Sequence, residues 1–144
     1  GDRAFCAGGD LKAAAQLVPS SAEEMAAHDR GERPGIIGPS RWVDVYKPVI
    51  AAVNGVAAGA GASLAMCCDI AIAAPAASFI QAFSKIGLIP DSGGTYFLPR
   101  LIGWQKASAL MMLGEKVSAE EAEKLGMIYK YFEDDEFSDG CICK

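Results

Sequence analysis

An α/β fold is the class this sequence predicts, and three neighbouring segments carry the prediction. Val49–Val53 is a continuous apolar run, the pattern of a strand buried on both faces. Gly59–Cys68 is small and apolar enough for a tightly packed helix, and Asp69–Ala73 reads as the next buried strand. Strand, helix and strand in that order make a crossover unit, which belongs to an α/β sheet.

The flanking elements follow from local signals. Ser21 and Glu24 have capping-box spacing and open a short helix that stops before Gly31 and Pro34. Gly31–Pro39 reads as a loop, and Ser40–Tyr46 as a helical turn or two ended by Pro48. Asn54-Gly55 turns the chain after the first buried strand. A helix begins near Gly93, and another covers Trp104–Leu113 with Gly114 as its C-terminal cap. Ser118 and Glu121 repeat the capping-box spacing and open a helix through Leu125, stopped by Gly126. Met127–Phe132 reads as a short strand, and the tail 133–144 as irregular. No repeat or linker divides the chain, so residues 1–132 form one core domain.

Composition narrows the function classes. The chain has 144 residues, 51% hydrophobic and 22% charged, enough for a real core in a water-exposed globular protein. A net charge of −5 without a basic cluster argues against nucleic acid or an anionic membrane as the main partner. The longest apolar stretch, Pro48–Ala65, is broken by Asn54 and three glycines, which excludes a membrane-spanning helix. The chain opens on Gly1 rather than Met and is read as an internal portion of a longer protein. The five cysteines match no zinc spacing, and Cys67-Cys68 reads as a pair of small buried thiols. A reducing, cytoplasmic compartment is expected. The single histidine, His28, lies in a polar run, so a His-dependent triad and a His-rich metal site are set aside.

Two glycine-bearing turns and one carboxylate carry the chemistry. Phe5–Leu11 holds adjacent small residues that let the backbone approach a ligand. Gly55–Gly61 runs directly into a helix, whose first N–H groups lack intrahelical partners and sit at the positive end of the dipole. Two such turns brought together could give one N–H each to a single oxygen, an oxyanion hole. Each turn alone fits tight turning and close helix packing at least as well. Asp91 follows an apolar stretch, Ile86–Pro90, and precedes two glycines. Apolar surroundings would disfavour its charged form and suit it to general-base work. Asp91 also fits as the cap of the helix near Gly93. Nucleotide readings fit less well. No GxxxxGK[ST] occurs, the pattern begun at Gly59 and Gly61 meets Leu64 where a small residue is wanted, and Asp69 comes too early to hold a ribose.

AFCAGGDL, then KPVIAAVNGVAAGAGASLAMCCDIAIA, then FSKIGLIPDSGGTYFLPRLIG, in this order, resembles the enoyl-CoA hydratase/isomerase (crotonase) family over residues 1–132. The resemblance implies a crotonase-type spiral of ββα turns, here partial, with N-terminal strands and C-terminal helices missing. It implies an acyl-CoA thioester as substrate, a homotrimer or dimer of trimers, and no cofactor beyond the coenzyme A carried by the substrate. By position, the oxyanion donors would be the N–H groups of Gly9 and Ala60. Ala7, Asp10, Leu11, Gly61, Phe83 and Ile86 would line the substrate, with Lys12 near a phosphate of the coenzyme.

The same resemblance separates the subfamilies. Hydratases of this family use two glutamates, and this chain has Ser63 and Phe83 at those positions. Asp91 in its PDSGGT setting resembles the epoxyphenylacetyl-CoA and Δ3,Δ2-enoyl-CoA isomerases of the family. The expected activity is therefore acyl-CoA isomerisation, with Asp91 moving the proton. The alternatives are an enoyl-CoA hydratase, another lyase or hydrolase of the family, and an inactive CoA-binding fragment.

Overall fold

A computed structural model of the protein describes residues 4–8, 21–30, 46–133 and Phe137. The elements in chain order are β1 (Ala4–Cys6), α1 (Ala22–Asp29), β2 (Ile50–Val53), β3 (Val56–Ala58), α2 (Ala60–Cys67), β4 (Ile70–Ala73) and β5 (Ser78–Ile80). A short 3₁₀ helix (Ala82–Ile86) follows, then α3 (Gly94–Ile102), α4 (Trp104–Leu113), β6 (Lys116–Ser118), α5 (Ala119–Leu125) and β7 (Lys130–Tyr131).

From β2 to β5 successive strands alternate between two sheets. One sheet has the order β1-β3-β5-β6 and the other β2-β4-β7. The chain therefore climbs as a staircase: β2 and β3 before α2, then β4 and β5 before the 3₁₀ helix. Asn54-Gly55 makes the step between the first two strands, as the sequence predicts. Among the described residues all pairings are parallel except β5 with β6. The register sets Ile50 beside Ile70 in one sheet and Val56 beside Ser78 in the other.

Small side chains make this stacking possible. Val53, Ala57, Ala62, Ala65, Ala73 and Ala122 are fully buried between the layers. α2 buries Gly61, Ala62, Ser63, Ala65 and Met66, so it is covered on most sides and shows no amphipathic stripe. The closest approach lies between Gly61 and β1, where a Cβ would come within 2.0 Å of the Cys6 carbonyl oxygen.

Several expectations hold and others are corrected. α1, α2, β4, α4 and α5 lie where the sequence puts them. Gly114 and Gly126 close α4 and α5 in the left-handed conformation, and the Ser118 hydroxyl accepts the Glu121 N–H at 3.2 Å. The first buried strand is not buried throughout, because Ile50 sits exposed at the sheet's end. Part of each glycine-bearing turn is strand: β1 takes Phe5 and Cys6, and β3 takes Val56–Ala58. Of Met127–Phe132 only Lys130 and Tyr131 pair as a strand. In the tail, the Phe137 N–H donates to the Glu133 carbonyl at 2.9 Å, and the other residues beyond 133 lie outside the described residues. The loop 31–39 and most of 40–46 lie outside the described residues.

Two substitutions test this packing. Ser118→Ala removes the α5 cap and is expected to lower stability by about 1 kcal/mol in urea unfolding. Gly61→Ala forces a methyl onto backbone that has no flexible side chain to yield, so its cost should exceed that of Ser118→Ala and reach about 3 kcal/mol.

Candidate active site

The first wall of the site is the junction of β3 with α2. β3 ends at Ala58, and Gly59 turns the chain with φ 56° and ψ −123°, a conformation suited to glycine. Its N–H is tied to the Ile80 carbonyl at 2.9 Å, and its own carbonyl accepts the N–H groups of Ala62 and Ser63 at 3.0 and 3.1 Å. The N–H groups of Ala60 and Gly61 begin the helix and have no intrahelical acceptor.

β1 delivers the other turn to this point. It pairs in parallel with β3, Cys6 beside Ala57, and the chain leaves it through Ala7 and Gly8. Gly8 has φ +92°, and a Cβ there would lie 3.1 Å from the Ala58 oxygen and 3.7 Å from the Ala60 nitrogen. The missing side chains of Gly8 and Gly61 therefore let the two turns meet backbone to backbone. Ala7 is exposed beside them. Gly9, Asp10 and Leu11, with Lys12, lie outside the described residues.

The second wall is the segment 90–94. The Gly94 N–H donates to the Asp91 carbonyl at 2.8 Å, and Ser92 (φ 50°) and Gly93 (φ 80°) occupy the corner with positive φ at both central positions, the signature of a type I′ turn. Gly93, not Asp91, caps α3, and no side chain serves that cap. The capping reading of Asp91 is thereby corrected: two left-handed residues turn its side chain away from the first helical N–H groups. Its carboxylate instead accepts the Ser92 hydroxyl at 2.9 Å. Asp91 is also exposed, so the described residues supply no apolar enclosure for it.

Ser63 links the two walls. It lies one helical turn beyond Gly59 and is fully buried, its hydroxyl without a partner among the described residues. A Cβ on Gly94 would sit 2.7 Å from that hydroxyl and 3.6 Å from the Gln81 Oε1, which is likewise buried and unpartnered. Gly94 thus lets the Asp91 turn rest on α2. The Phe83 ring covers Gly59, 3.7 Å from where a Cβ would stand, and is 5% exposed. Ile86, at the end of the 3₁₀ helix, is exposed, whereas Phe79 belongs to the core.

Of the residues expected at the site, Ala7, Ala60, Gly61, Phe83 and Asp91 are thus tied to one region by direct packing or chain adjacency. Gly8, Gln81 and Gly94 were not anticipated. The pairing of small residues with adjacent turns marks Gly8 and Gly94 in the sequence, but nothing local marks Gln81. Among the described residues no group of three His, Cys, Asp or Glu side chains could hold a metal, and no helix is long and apolar enough to cross a membrane.

Comparison with known proteins decides the family. The sequence profile for enoyl-CoA hydratase/isomerase matches residues 1–143. The chain belongs to that family. It is 46% identical over 138 residues to 1,2-epoxyphenylacetyl-CoA isomerase of Escherichia coli K12, covering 95% of this chain and 52% of that protein. It is 52% identical over 90 residues to a probable enoyl-CoA hydratase of Rhodobacter capsulatus, covering 62% of this chain and 35% of that one. The crystal structure of an enoyl-CoA hydratase from Polaromonas sp. JS666 superposes with a TM-score of 0.77 at 38% identity, covering 97% of this chain and 53% of that one. The fold is the crotonase fold, and the chain spans about half the length of the relatives it matches along its full extent.

The contact between Gly94 and Ser63 yields a double-mutant test. Gly94→Ala is expected to destabilise by about 1–3 kcal/mol through overpacking. Adding Ser63→Ala removes the clashing hydroxyl and should recover most of that loss in urea unfolding; a strictly additive pair would contradict the contact.

Proposed function

We propose that the chain carries the acid–base half-site of an acyl-CoA isomerase acting on an enoyl-CoA or epoxyphenylacetyl-CoA thioester. The observation that carries this reading is the placement of Asp91. Its turn packs on Ser63, which lies one helical turn along α2 from Ala60, while Ser63 and Phe83 offer no carboxylate. In this reading Asp91 faces the reacting carbons, and those two positions offer no competing acid or base.

In this reading the thioester oxygen lies between the N–H groups of Gly9 and Ala60. Charge that develops on it as a proton leaves carbon is met by preorganised donors, and losing one such donor typically costs about 10²–10³ in rate. Asp91 takes the proton from one carbon and returns it to another, so the double bond moves, or a strained ring opens, with no net gain or loss of atoms. The exposed carboxylate and the Ser92 hydroxyl that orients it leave one oxygen free for this transfer. Leu11, Asp10 and Ala7 would flank the coenzyme, and Phe83 and Ile86 the acyl chain. Coenzyme A enters with the substrate and no other cofactor takes part. A cytoplasmic homotrimer or dimer of trimers is the assembly this reading implies. The resemblance to an epoxyphenylacetyl-CoA isomerase over nearly the whole chain supports the isomerase reading.

A hydratase reading is favoured by the probable enoyl-CoA hydratase among the relatives. The two readings differ in water addition. Efficient hydration of crotonyl-CoA would overturn the isomerase reading, since Ser63 and Phe83 cannot activate and protonate water.

Asp91→Asn is the direct test of the acid–base role. It should lower isomerase kcat by about 10²–10⁴ while acyl-CoA binding stays within a few-fold, measured by steady-state kinetics and calorimetry. Wild-type turnover in that variant would remove Asp91 from the mechanism.

A further inference from the structure

The far end of α2 holds a second arrangement, independent of the acyl-CoA site. Cys67 ends the helix and Cys68 is its C-cap, and neither is in a disulfide. Both are only partly buried, which corrects the expectation of two small buried thiols. The two side chains turn the same way: the Cys67 and Cys68 thiols both donate to the Leu64 carbonyl, at 3.1 and 3.3 Å. Cys68 opens onto a cleft of about 220 Å³ bounded by Met66, Asp69, Leu101, Met127 and Tyr129. Two sulfurs turned to one acceptor, with Cys68 at the mouth of the cleft, make a bidentate soft donor.

We propose that Cys67 and Cys68 form a paired-thiol site that captures a trivalent organoarsenical, with the organic group of the reagent lodged in the adjoining cleft. The chemistry selects arsenic over a metal cation. Burial pushes both thiols up, Cys68 to about 11 with the neighbouring Cys67 as a further cause, so at neutral pH both keep their protons. Metal cations bind thiolates and have to displace those protons. An arsenical oxide condenses with thiols instead. For phenylarsine oxide, two S–H bonds and the arsenic–oxygen bond break, two As–S bonds form, and one water leaves carrying both protons. Arsenic stays trivalent, so no oxidant or reductant is needed. The part of the cleft lined by Met66, Leu101 and Met127 suits the phenyl ring.

The test is capture of phenylarsine oxide by the folded protein, followed by intact mass and peptide mapping. Cys141 and Cys143 share a short spacing and lie outside the described residues, so the Cys141→Ser, Cys143→Ser variant is used as the background. The expected result is one arsenic per chain with loss of one water, mapped to the peptide bearing Cys67 and Cys68. This adduct should survive excess glutathione and reverse with 2,3-dimercaptopropanol. Cys67→Ser or Cys68→Ser should each weaken retention against glutathione by about 10²-fold, since a single thiol loses the chelate advantage. Cys6→Ser should leave retention unchanged. Circular dichroism of each variant shows that it is folded, and mapping on the unsubstituted pair stands without them. Arsenic found elsewhere, or an adduct that glutathione removes as readily as from a single-cysteine variant, overturns the site.

Discussion

The close backbone contact of β1 with the start of α2 is the constraint on which the rest depends. Gly61 meets the Cys6 carbonyl where any side chain would collide, and Gly8 lies over the Ala58–Ala60 turn. Parallel pairing of β1 with β3 fixes the direction of approach, and the missing side chains fix its depth. Two segments about fifty residues apart in sequence thus become one surface. A helix start has unpaired N–H groups by its nature; what this fold adds is a second turn pressed against them.

The other side of the site is built on the same economy of side chains. Gly94 lets the Asp91 turn rest on Ser63, and the tip of the Phe83 ring packs at the helix entry beside Gly59. The turn carries strain, because Ser92 holds a positive φ that a residue with a Cβ adopts at a cost of order 1 kcal/mol. Strain of this kind persists where surrounding structure over-determines it. Here the Gly94 hydrogen bond to Asp91 and the packing of α3 on α2 supply that determination. The result is a carboxylate held on a corner rather than spent on a helix cap.

Legibility in the sequence followed the strength of local signals. The helices with side-chain or glycine caps, such as α5 between Ser118 and Gly126, could be placed almost to the residue. The buried strand β4 was readable because four apolar residues run without interruption. β3, β5 and β6 were not, since each has three residues, too few for a period, and β3 is embedded among glycines and alanines that read equally as turn. Ile50 breaks the reading of β2 because exposure at a sheet's end depends on tertiary position rather than on residue type. The sequence marks Asp91 as a candidate acid–base residue but does not show its local backbone role. The sequence pattern D-S-G-G permits a cap at Asp91 or at Gly93, and the choice rests on the two left-handed residues between them. Gln81 was invisible because its buried oxygen matters only beside Gly94.

The central claim is that the two backbone turns and Asp91 converge on one thioester. A crystal structure with a bound non-reacting acyl-CoA analogue tests it most directly. The account predicts the thioester oxygen at about 2.7–3.1 Å from the N–H nitrogens of Gly9 and Ala60, with the Asp91 carboxylate beside the carbons that exchange protons. A thioester oxygen bound away from both nitrogens, or an acyl chain directed away from Asp91, would contradict it.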